Sequence, residues 1–258
     1  MLYITGKIDF VTGKSKSRKI FILGTGRSGT HWIAYILDAH PQIRATIEKN
    51  PMFGLVKEMA LDPSKRARLF PKLIRRYKLE HFISAPLHYL DKSHPNIWLA
   101  EDLSKVFKDA VFIGMKRNPY ATIASMLKHK GVKTWHKDWK QYPIPNAFLG
   151  ITEEIATHYD NLPLVTQFAF RWKAHQEQMN KLQENLHNRL LVINYEELIF
   201  NIRENLNKLE DFLELKEPIP IPEIRSESLD KWKKQLDDSE IKQIAEIVGY
   251  LPSDETMF

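Results

Sequence analysis

The sequence predicts an α/β fold in which one open, mainly parallel sheet is flanked by helices. Three segments rich in branched and aromatic residues, 19–24, 110–115 and 189–194, have the length and character of buried parallel strands. Helical patterns lie between them, and this alternation is typical of a sheet that binds ligands at the carboxyl ends of its strands. The first strand ends in a glycine-rich turn, which predicts an anion site at that edge.

Length and composition indicate a single domain. The 258 residues are 43% hydrophobic, which suffices for one substantial core, and we assign residues 19–258 to one domain after an N-terminal lead-in, residues 1–18. We expect the lead-in to be frayed or to form a short edge strand. No apolar run approaches 18 residues and no signal segment is visible, so a cytoplasmic protein is expected.

Charge and cysteine content narrow the chemistry. A net charge of +6 suits anionic ligands in general and does not single out nucleic acid. The sequence contains no cysteine, which excludes disulfides, thiolate nucleophiles and cysteine zinc sites. No His-Glu-x-x-His motif or other metal-ligand spacing occurs, so we expect no metal.

The turn after the first strand is built to hold a phosphate. Three glycines in residues 24–29 allow the backbone to wrap an oxyanion, and a helical pattern starts at Thr30. The N–H groups of the turn and the positive end of the helix then point at one place. The alternative is a tight strand-to-helix connection with no ligand.

The position of the positive charge indicates which phosphate is bound. A Walker loop has Lys directly after its last glycine and then Ser or Thr, whereas Thr30 and His31 stand here. The cation is Arg27, inside the loop. The fold is therefore P-loop-like, but its loop suits a terminal phosphate or sulfonate better than a metal-bound triphosphate.

The loop resembles the 5′-phosphosulfate loop of sulfotransferases that use 3′-phosphoadenosine 5′-phosphosulfate (PAPS). The resemblance rests on the Arg-Ser-Gly-Thr core and the tryptophan that follows, and it is greatest to tyrosylprotein-type and bacterial members. It implies a loop that holds the 5′-phosphosulfate. The residues concerned are Arg27, Ser28, Gly29, Thr30, His31 and Trp32.

Two acid–base candidates follow later strands. Residues 43–47 predict a short strand that ends at Glu48, and the run from the loop to Glu48 is similar to that of tyrosylprotein-type enzymes, where the matching acid is the base. Residues 86–95 contain another predicted short strand, which ends in a polar cluster. In this stretch Lys92 resembles the family's catalytic lysine, and His94 resembles the base of cytosolic sulfotransferases. A lysine stabilises charge on the bridging oxygen without a metal. Glu48 ranks first because its match is longer; the alternatives are a solvated acid for Glu48 and a turn-capping role for His94.

The strand at 110–115 carries a second anion motif. It ends in Arg117-Asn118-Pro119, and Pro119 suits the first turn of a helix that presents Ser125 eight residues after Arg117. The helix brings the Ser125 hydroxyl within reach of a ligand held by the Arg117 guanidinium. This arrangement resembles the 3′-phosphate site of the sulfotransferases.

Three other segments have open interpretations. Residues 64–78 predict a basic amphipathic helix that packs on the core, or alternatively contacts an acidic acceptor or an anionic membrane surface. Residues 128–162 are aromatic-rich and irregular, as in a lid, a nucleobase-stacking surface or a pinned loop.

The strand at 189–194 ends at Tyr195, which by resemblance lies by the nucleotide; the alternative is that Tyr195 is a half-buried strand-end residue. Ser226 and Lys231 resemble the C-terminal nucleotide contacts of the family, or else begin a capped helix.

The resemblance implies an enzyme that transfers a sulfonate group from PAPS to an acceptor hydroxyl and releases 3′-phosphoadenosine 5′-phosphate (PAP). The acceptor is left open among a sugar, a lipid, a small alcohol and a tyrosine, and so is the oligomeric state. A P-loop kinase or nucleotidase is the main alternative, and a basic nucleic-acid-binding module is the second. We expect no nucleic acid partner.

Overall fold

The computed structural model describes residues 7, 8, 12, 16–224 and 226–252, and five parallel strands lie at its centre. The strand order is β2-β3-β1-β4-β5, so the strand before the glycine turn is the central one. The predicted open parallel sheet is confirmed. The strands are β1 (Lys19–Gly24), β2 (Ile43–Ile47), β3 (His88–Lys92), β4 (Val111–Lys116) and β5 (Leu190–Asn194).

Helices connect the strands and cover both faces of the sheet. They are α1 (Thr30–Asp38), α2 (Met52–Leu61), α3 (Arg66–Ser84), α4 (Ala100–Val106), α5 (Pro119–Leu127), α6 (Lys130–Lys137), α7 (Glu153–Ala156), α8 (Leu164–Leu186), α9 (Tyr195–Phe200), α10 (Ile202–Leu213), α11 (Glu227–Asp230) and α12 (Asp238–Val248). Short 3₁₀ turns include Pro63–Lys65, His94–Trp98 and Lys231–Lys234. No helix in the described ranges is both long enough and apolar enough to cross a membrane.

The central strand divides the core into two layers. Phe21 and Leu23 are fully buried against α2, α3 and α8, whereas Ile20 and Ile22 are buried against α1, α9 and α10. This alternation is the consequence of a strand whose side chains point to opposite faces. Because both faces are covered, the strand is apolar throughout, as its sequence predicted.

The break between α2 and α3 lies at Asp62 and Pro63. Asp62 accepts a hydrogen bond from the Ser64 N–H and so caps the turn between α2 and α3. The apolar stripe of α3 is mostly buried, which confirms that this helix packs on the core. Lys72, Arg75, Arg76 and Lys78 on its other face are exposed to solvent.

Residues 128–162 are more regular than the sequence indicated. The His129 ring accepts the N–H of Val132 and caps α6. Trp139 and Phe148 are buried with Tyr159 in a separate small cluster, so these aromatic residues pin the segment to the core. Most of the predicted lead-in, residues 1–18, lies outside the described residues.

A buried carboxylate joins three elements below the carboxyl edge of the sheet. Asp91 in β3 is inaccessible to solvent, and it accepts hydrogen bonds from Thr46 (3.1 Å), Tyr77 (3.0 Å) and Asn96 (3.0 Å). Burial raises the pKa of Asp91 to about 6 even though these donors favour the charged form. The network fixes the strand end that carries Lys92 and the turn that carries His94.

We expect Asp91→Ala to lower the free energy of unfolding by about 3 kcal/mol, because buried hydrogen-bond donors lose their acceptor. Urea unfolding followed by circular dichroism measures this change. Asp102→Ala is the matched control, since Asp102 forms a largely exposed pair with Lys105 and its loss is expected to cost less than about 1 kcal/mol. Equal losses for the two variants would contradict the anchoring role of Asp91.

Candidate functional site

The glycine turn lies at the carboxyl end of the central strand, directly before α1. Gly29 precedes α1 with a left-handed φ of 88°, and a Cβ at this position would lie 2.4 Å from Tyr195 Cδ2. The Ser28 hydroxyl is turned inward and donates to the Thr25 carbonyl (2.6 Å). The first-turn N–H groups of α1 lack helical acceptors and face the concave side of the turn, which suits an anion.

The two predicted anion motifs meet in space. One guanidinium nitrogen of Arg117 donates to the Arg27 carbonyl (3.0 Å), and Arg27 Nε donates to the Ser125 hydroxyl (3.0 Å). The Arg117 guanidinium also stacks 4.3 Å from the centre of the Tyr195 ring. Arg117 therefore faces the glycine turn, although 90 residues separate it from Arg27.

A cavity of about 370 Å³ lies between these residues. It contains several cationic side chains and no carboxylate, so it attracts anions. Burial lowers the pKa of Arg117, as is usual for a cation removed from water. The lining residues are Arg27, Arg117, Ala121, Ser125, Lys128, His129, Ser228, Lys231, Trp232 and Gln235.

The C-terminal segment contributes a different serine to this cavity than the resemblance implies. Lys231 lines the cavity, but Ser226 is exposed and does not. Ser228 lines it instead; its hydroxyl bonds to the Tyr195 hydroxyl (2.8 Å) and its carbonyl accepts from Arg117 (2.9 Å). The sequence signal for Ser228 was weak, because two serines in one segment are equivalent until the local turn is known.

A second polar cluster surrounds Glu48. Its Oε1 accepts from Lys92 Nζ (2.5 Å) and from His94 Nδ1 (3.1 Å), and His31 Nε2 lies 3.7 Å from Oε2. Lys92 Nζ also donates to His31 Nδ1 (2.9 Å). The structure thus brings together both predicted base candidates and the predicted lysine.

Strand register places this cluster. Ile47 of β2 pairs with Lys92 of β3, and the Glu48 N–H continues the ladder by donating to the Lys92 carbonyl (2.9 Å). Glu48 and Arg27 both have a left-handed backbone, with φ of 46° and 78°. Such conformations are unfavourable for residues with a Cβ and concentrate at functional sites.

Burial and charge set the ionisation of the cluster. Burial alone raises the pKa of Glu48, but the His94 hydrogen bond and the Lys92 charge lower it to about 2. Burial lowers the pKa of His94 to about 4, so its ring is neutral at pH 7. Because a carboxylate only accepts, His94 carries its proton on Nδ1, which leaves Nε2 as an acceptor. Burial also lowers the pKa of Lys92.

Another cavity of about 230 Å³ lies beside this cluster and shares Arg27 and His129 with the first. It joins a polar side to an apolar side. Trp135 of the aromatic-rich segment lines it, as in the predicted lid, while Phe53, His129 and Val132 had no sequence signal. The lining residues are Gly26, Arg27, His31, Glu48, Phe53, Lys92, His94, His129, Gly131, Val132 and Trp135.

The remaining predicted residues lie behind the loop or start the helix. Thr30 is buried in the first turn of α1. The Trp32 ring packs edge to face on Tyr195 at 5.6 Å and lines neither cavity. In the described part of the chain, no three His, Asp or Glu side chains are grouped as a metal site.

The sequence matches the model of the "Sulfotransferase family" over residues 19–218. The sulfotransferase domain from the curacin biosynthetic pathway has a similar fold, with 16% identity, a TM-score of 0.60, and coverage of 92% of this chain and 99% of that one. The sulfotransferase domain from the Synechococcus PCC 7002 olefin synthase is also similar, with 17% identity, a TM-score of 0.55, and coverage of 92% of this chain and 96% of that one. A sulfotransferase from Alicyclobacillus acidocaldarius has 14% identity and a TM-score of 0.51, with coverage of 92% of this chain and 98% of that one. No curated protein matches the sequence.

We expect Gly29→Ala to abolish measurable binding of PAP, because the new methyl group would strike the Tyr195 ring and displace the turn. Isothermal titration calorimetry measures the binding. Gly249→Ala is the matched control: Gly249 is also left-handed, but nothing lies within 4 Å of its Cβ position. That variant is expected to lose about 1 kcal/mol of stability and to bind normally. Unchanged PAP affinity in Gly29→Ala would contradict the assignment of the turn.

Proposed function

The chain belongs to the sulfotransferase family, and from this premise we propose how its residues transfer the sulfonate group. Family membership implies PAPS as the donor and an acceptor hydroxyl. The proposal is that the glycine turn holds the 5′-phosphosulfate and that Arg117 holds the 3′-phosphate. The contact between the Arg117 guanidinium and the Arg27 carbonyl carries this proposal, because it puts both anion motifs at one ligand.

On the 3′ side, Arg117 and Ser125 are the main contacts, and Lys128, Ser228 and Lys231 complete a cationic cavity around them. On the 5′ side, the N–H groups of residues 29–32 donate to the phosphosulfate oxygens, whereas the Ser28 N–H donates to the Thr25 carbonyl. Arg27 bonds to Ser125 and lines both cavities. We assign the Arg27 guanidinium to the sulfonate and the bridging oxygen, which leaves Ser125 to the 3′-phosphate.

Glu48 is the proposed base. Glu48 lines the smaller cavity, where we place the acceptor hydroxyl, and its Oε1 is held by Lys92 and His94, which leaves Oε2 to take the proton. His94 Nε2, in contrast, is buried against Gly26, and a Cβ there would lie 3.2 Å away from it. His94 therefore orients Glu48 through the Nδ1 proton.

The transfer is a single displacement at sulfur. The acceptor oxygen forms a bond to sulfur as the bond between sulfur and the 5′-phosphate oxygen breaks, and the hydroxyl proton moves to Glu48. The products are a sulfate monoester and PAP. Lys92 stabilises negative charge on the leaving phosphate oxygen, and in doing so it weakens its pair with Glu48 and makes that carboxylate more basic.

The alternatives have less support. Thr30 stands where a kinase loop has the lysine that contacts β- and γ-phosphates. Against the nucleic-acid module, Trp139 and Phe148 are buried in the core and cannot stack on bases.

A peripheral membrane contact is a further part of the proposal. The solvent side of α3 aligns Lys72, Arg75 and Arg76 with Leu79 and Phe82, which are 45% and 44% exposed. Cationic and apolar side chains on one helix face suit an anionic lipid surface. This contact concerns location and not the chemistry of transfer.

We expect Glu48→Gln to lower kcat by about 10²- to 10⁴-fold, since general base catalysis contributes that much. PAP affinity is expected to stay nearly unchanged, which calorimetry checks alongside a sulfur-labelled transfer assay. His94→Ala is expected to lower kcat less. A larger loss in His94→Ala would assign the base to His94, and full activity in both variants would show that neither residue is the base.

We expect PAP to bind in preference to ATP–magnesium and to single-stranded RNA, because the cavity suits a phosphate held by Arg117 and the loop lacks the lysine of a triphosphate site. Calorimetric titration with the three ligands measures this order. Arg117→Ala is expected to weaken PAP binding by about 10-fold or more, the effect of losing a charged hydrogen bond. Tighter binding of ATP–magnesium or RNA would reject the assignment.

A further inference from the structure

We propose that the acceptor is a small alcohol or phenol whose hydroxyl group is attached to an apolar carbon framework. The cavity beside Glu48 selects it through Phe53, Val132 and Trp135. This inference rests on the proposed function, because it names the acceptor class for the same site.

The two sides of this cavity are chemically unlike. The polar lining residues around Glu48 either take part in the proposed transfer or contact Glu48; they are Arg27, His31, Lys92 and His94. The apolar part of the lining is formed by Phe53, Val132 and Trp135, together with Gly131. His129 also lines the cavity, but its Nδ1 accepts the Val132 N–H (3.3 Å) and caps α6.

This division excludes polyhydroxylated acceptors. A sugar carries hydroxyl groups around its whole ring, and each one needs a hydrogen-bond partner once it leaves water. Among the lining residues, the apolar part offers one side-chain donor, the Trp135 indole N–H, and no side-chain acceptor, so the hydroxyl protons of a sugar would be left unpaired there. An alkyl or aryl group needs none, and its single hydroxyl is received by Glu48.

The aromatic wall is fixed before the acceptor arrives. The Trp135 ring packs edge to face on Phe148 with centroids 5.4 Å apart, and the Arg171 guanidinium lies 5.4 Å from the Trp135 centroid. Arg171 is fully buried and donates to the Phe148 carbonyl (2.7 Å). A wall that does not rearrange gives shape selection at little entropic cost.

The size of the cavity limits the acceptor. Its volume of about 230 Å³ equals roughly seven or eight water molecules at about 30 Å³ each. The transferred sulfonate takes part of that space. A phenyl ring or a short alkyl chain fills the remainder, and a longer acceptor enters only by its hydroxyl-bearing end.

The first test compares acceptors with the unmodified chain and sulfur-labelled PAPS. 4-Methylphenol and 2-phenylethanol are compared with methyl β-glucoside, and the apolar acceptors are expected to have kcat/KM about 10-fold or more higher. Equal or better turnover of the glucoside overturns the inference, and so does failure of the apolar acceptors when PAP binds. Absence of PAP binding would instead mark a failure of the proposed function.

The second test changes the wall. Trp135→Gln supplies a polar group and is expected to raise KM for 4-methylphenol by about 10-fold with PAP affinity unchanged, whereas Trp135→Phe keeps the apolar wall and the preference. Lys133→Gln is the matched control, because Lys133 lies on the outer side of the same helix and lines a separate surface groove. An unchanged acceptor preference in Trp135→Gln overturns the inference; if that variant does not fold, the comparison of acceptors decides.

Discussion

The ion pair between Glu48 and Lys92 is the interaction on which the site depends. Lys92 is almost completely buried, and a buried ammonium is tolerated only beside a partner. Parallel pairing of β2 with β3 supplies that partner by placing Glu48 one residue beyond the strand end. Removal of either residue would leave a buried charge uncompensated, so catalysis and local stability are coupled here.

The cationic cavity differs from the Glu48 cluster because its positive charges have no carboxylate partner among the lining residues. Arg27, Arg117, Lys128 and Lys231 line one space that contains no carboxylate. Their mutual repulsion is relieved by an anion of two or more charges, and the Tyr195 ring provides partial relief through its contact with Arg117. In the proposed site, a bis-phosphorylated nucleotide would therefore stabilise the protein as well as serve as donor.

Much of this arrangement could be predicted from the sequence. Buried parallel strands are continuous apolar runs, and the turn that follows β1 is marked by glycines and Arg27. The spacing of Arg117 and Ser125 also indicated an anion site, because eight residues of strand end and helix have a fixed geometry. These features are local, so the sequence carries them directly.

The apolar wall of the smaller cavity could not be predicted. Val132 and Trp135 are four and seven residues away from Lys128 in a segment with no clear periodicity, and their direction depends on the cap at His129. Phe53 comes from α2, a distant segment of the chain. Trp135 faces the cavity, whereas Trp139 is buried. This difference depends on how the segment packs against α8.

On the proposed assignment, Arg27 and Lys92 together link donor binding to acceptor activation. Both line the smaller cavity, and Lys92 shares its ammonium between Glu48 and His31. On the proposed assignment, the sulfonate draws the Lys92 ammonium toward the bridging oxygen, and the pKa of Glu48 rises from about 2 as that charge moves away, while the His94 hydrogen bond continues to lower it. On this assignment Glu48 is a stronger base when the donor is present, and the charge that holds the leaving group makes the carboxylate less basic in the absence of the donor.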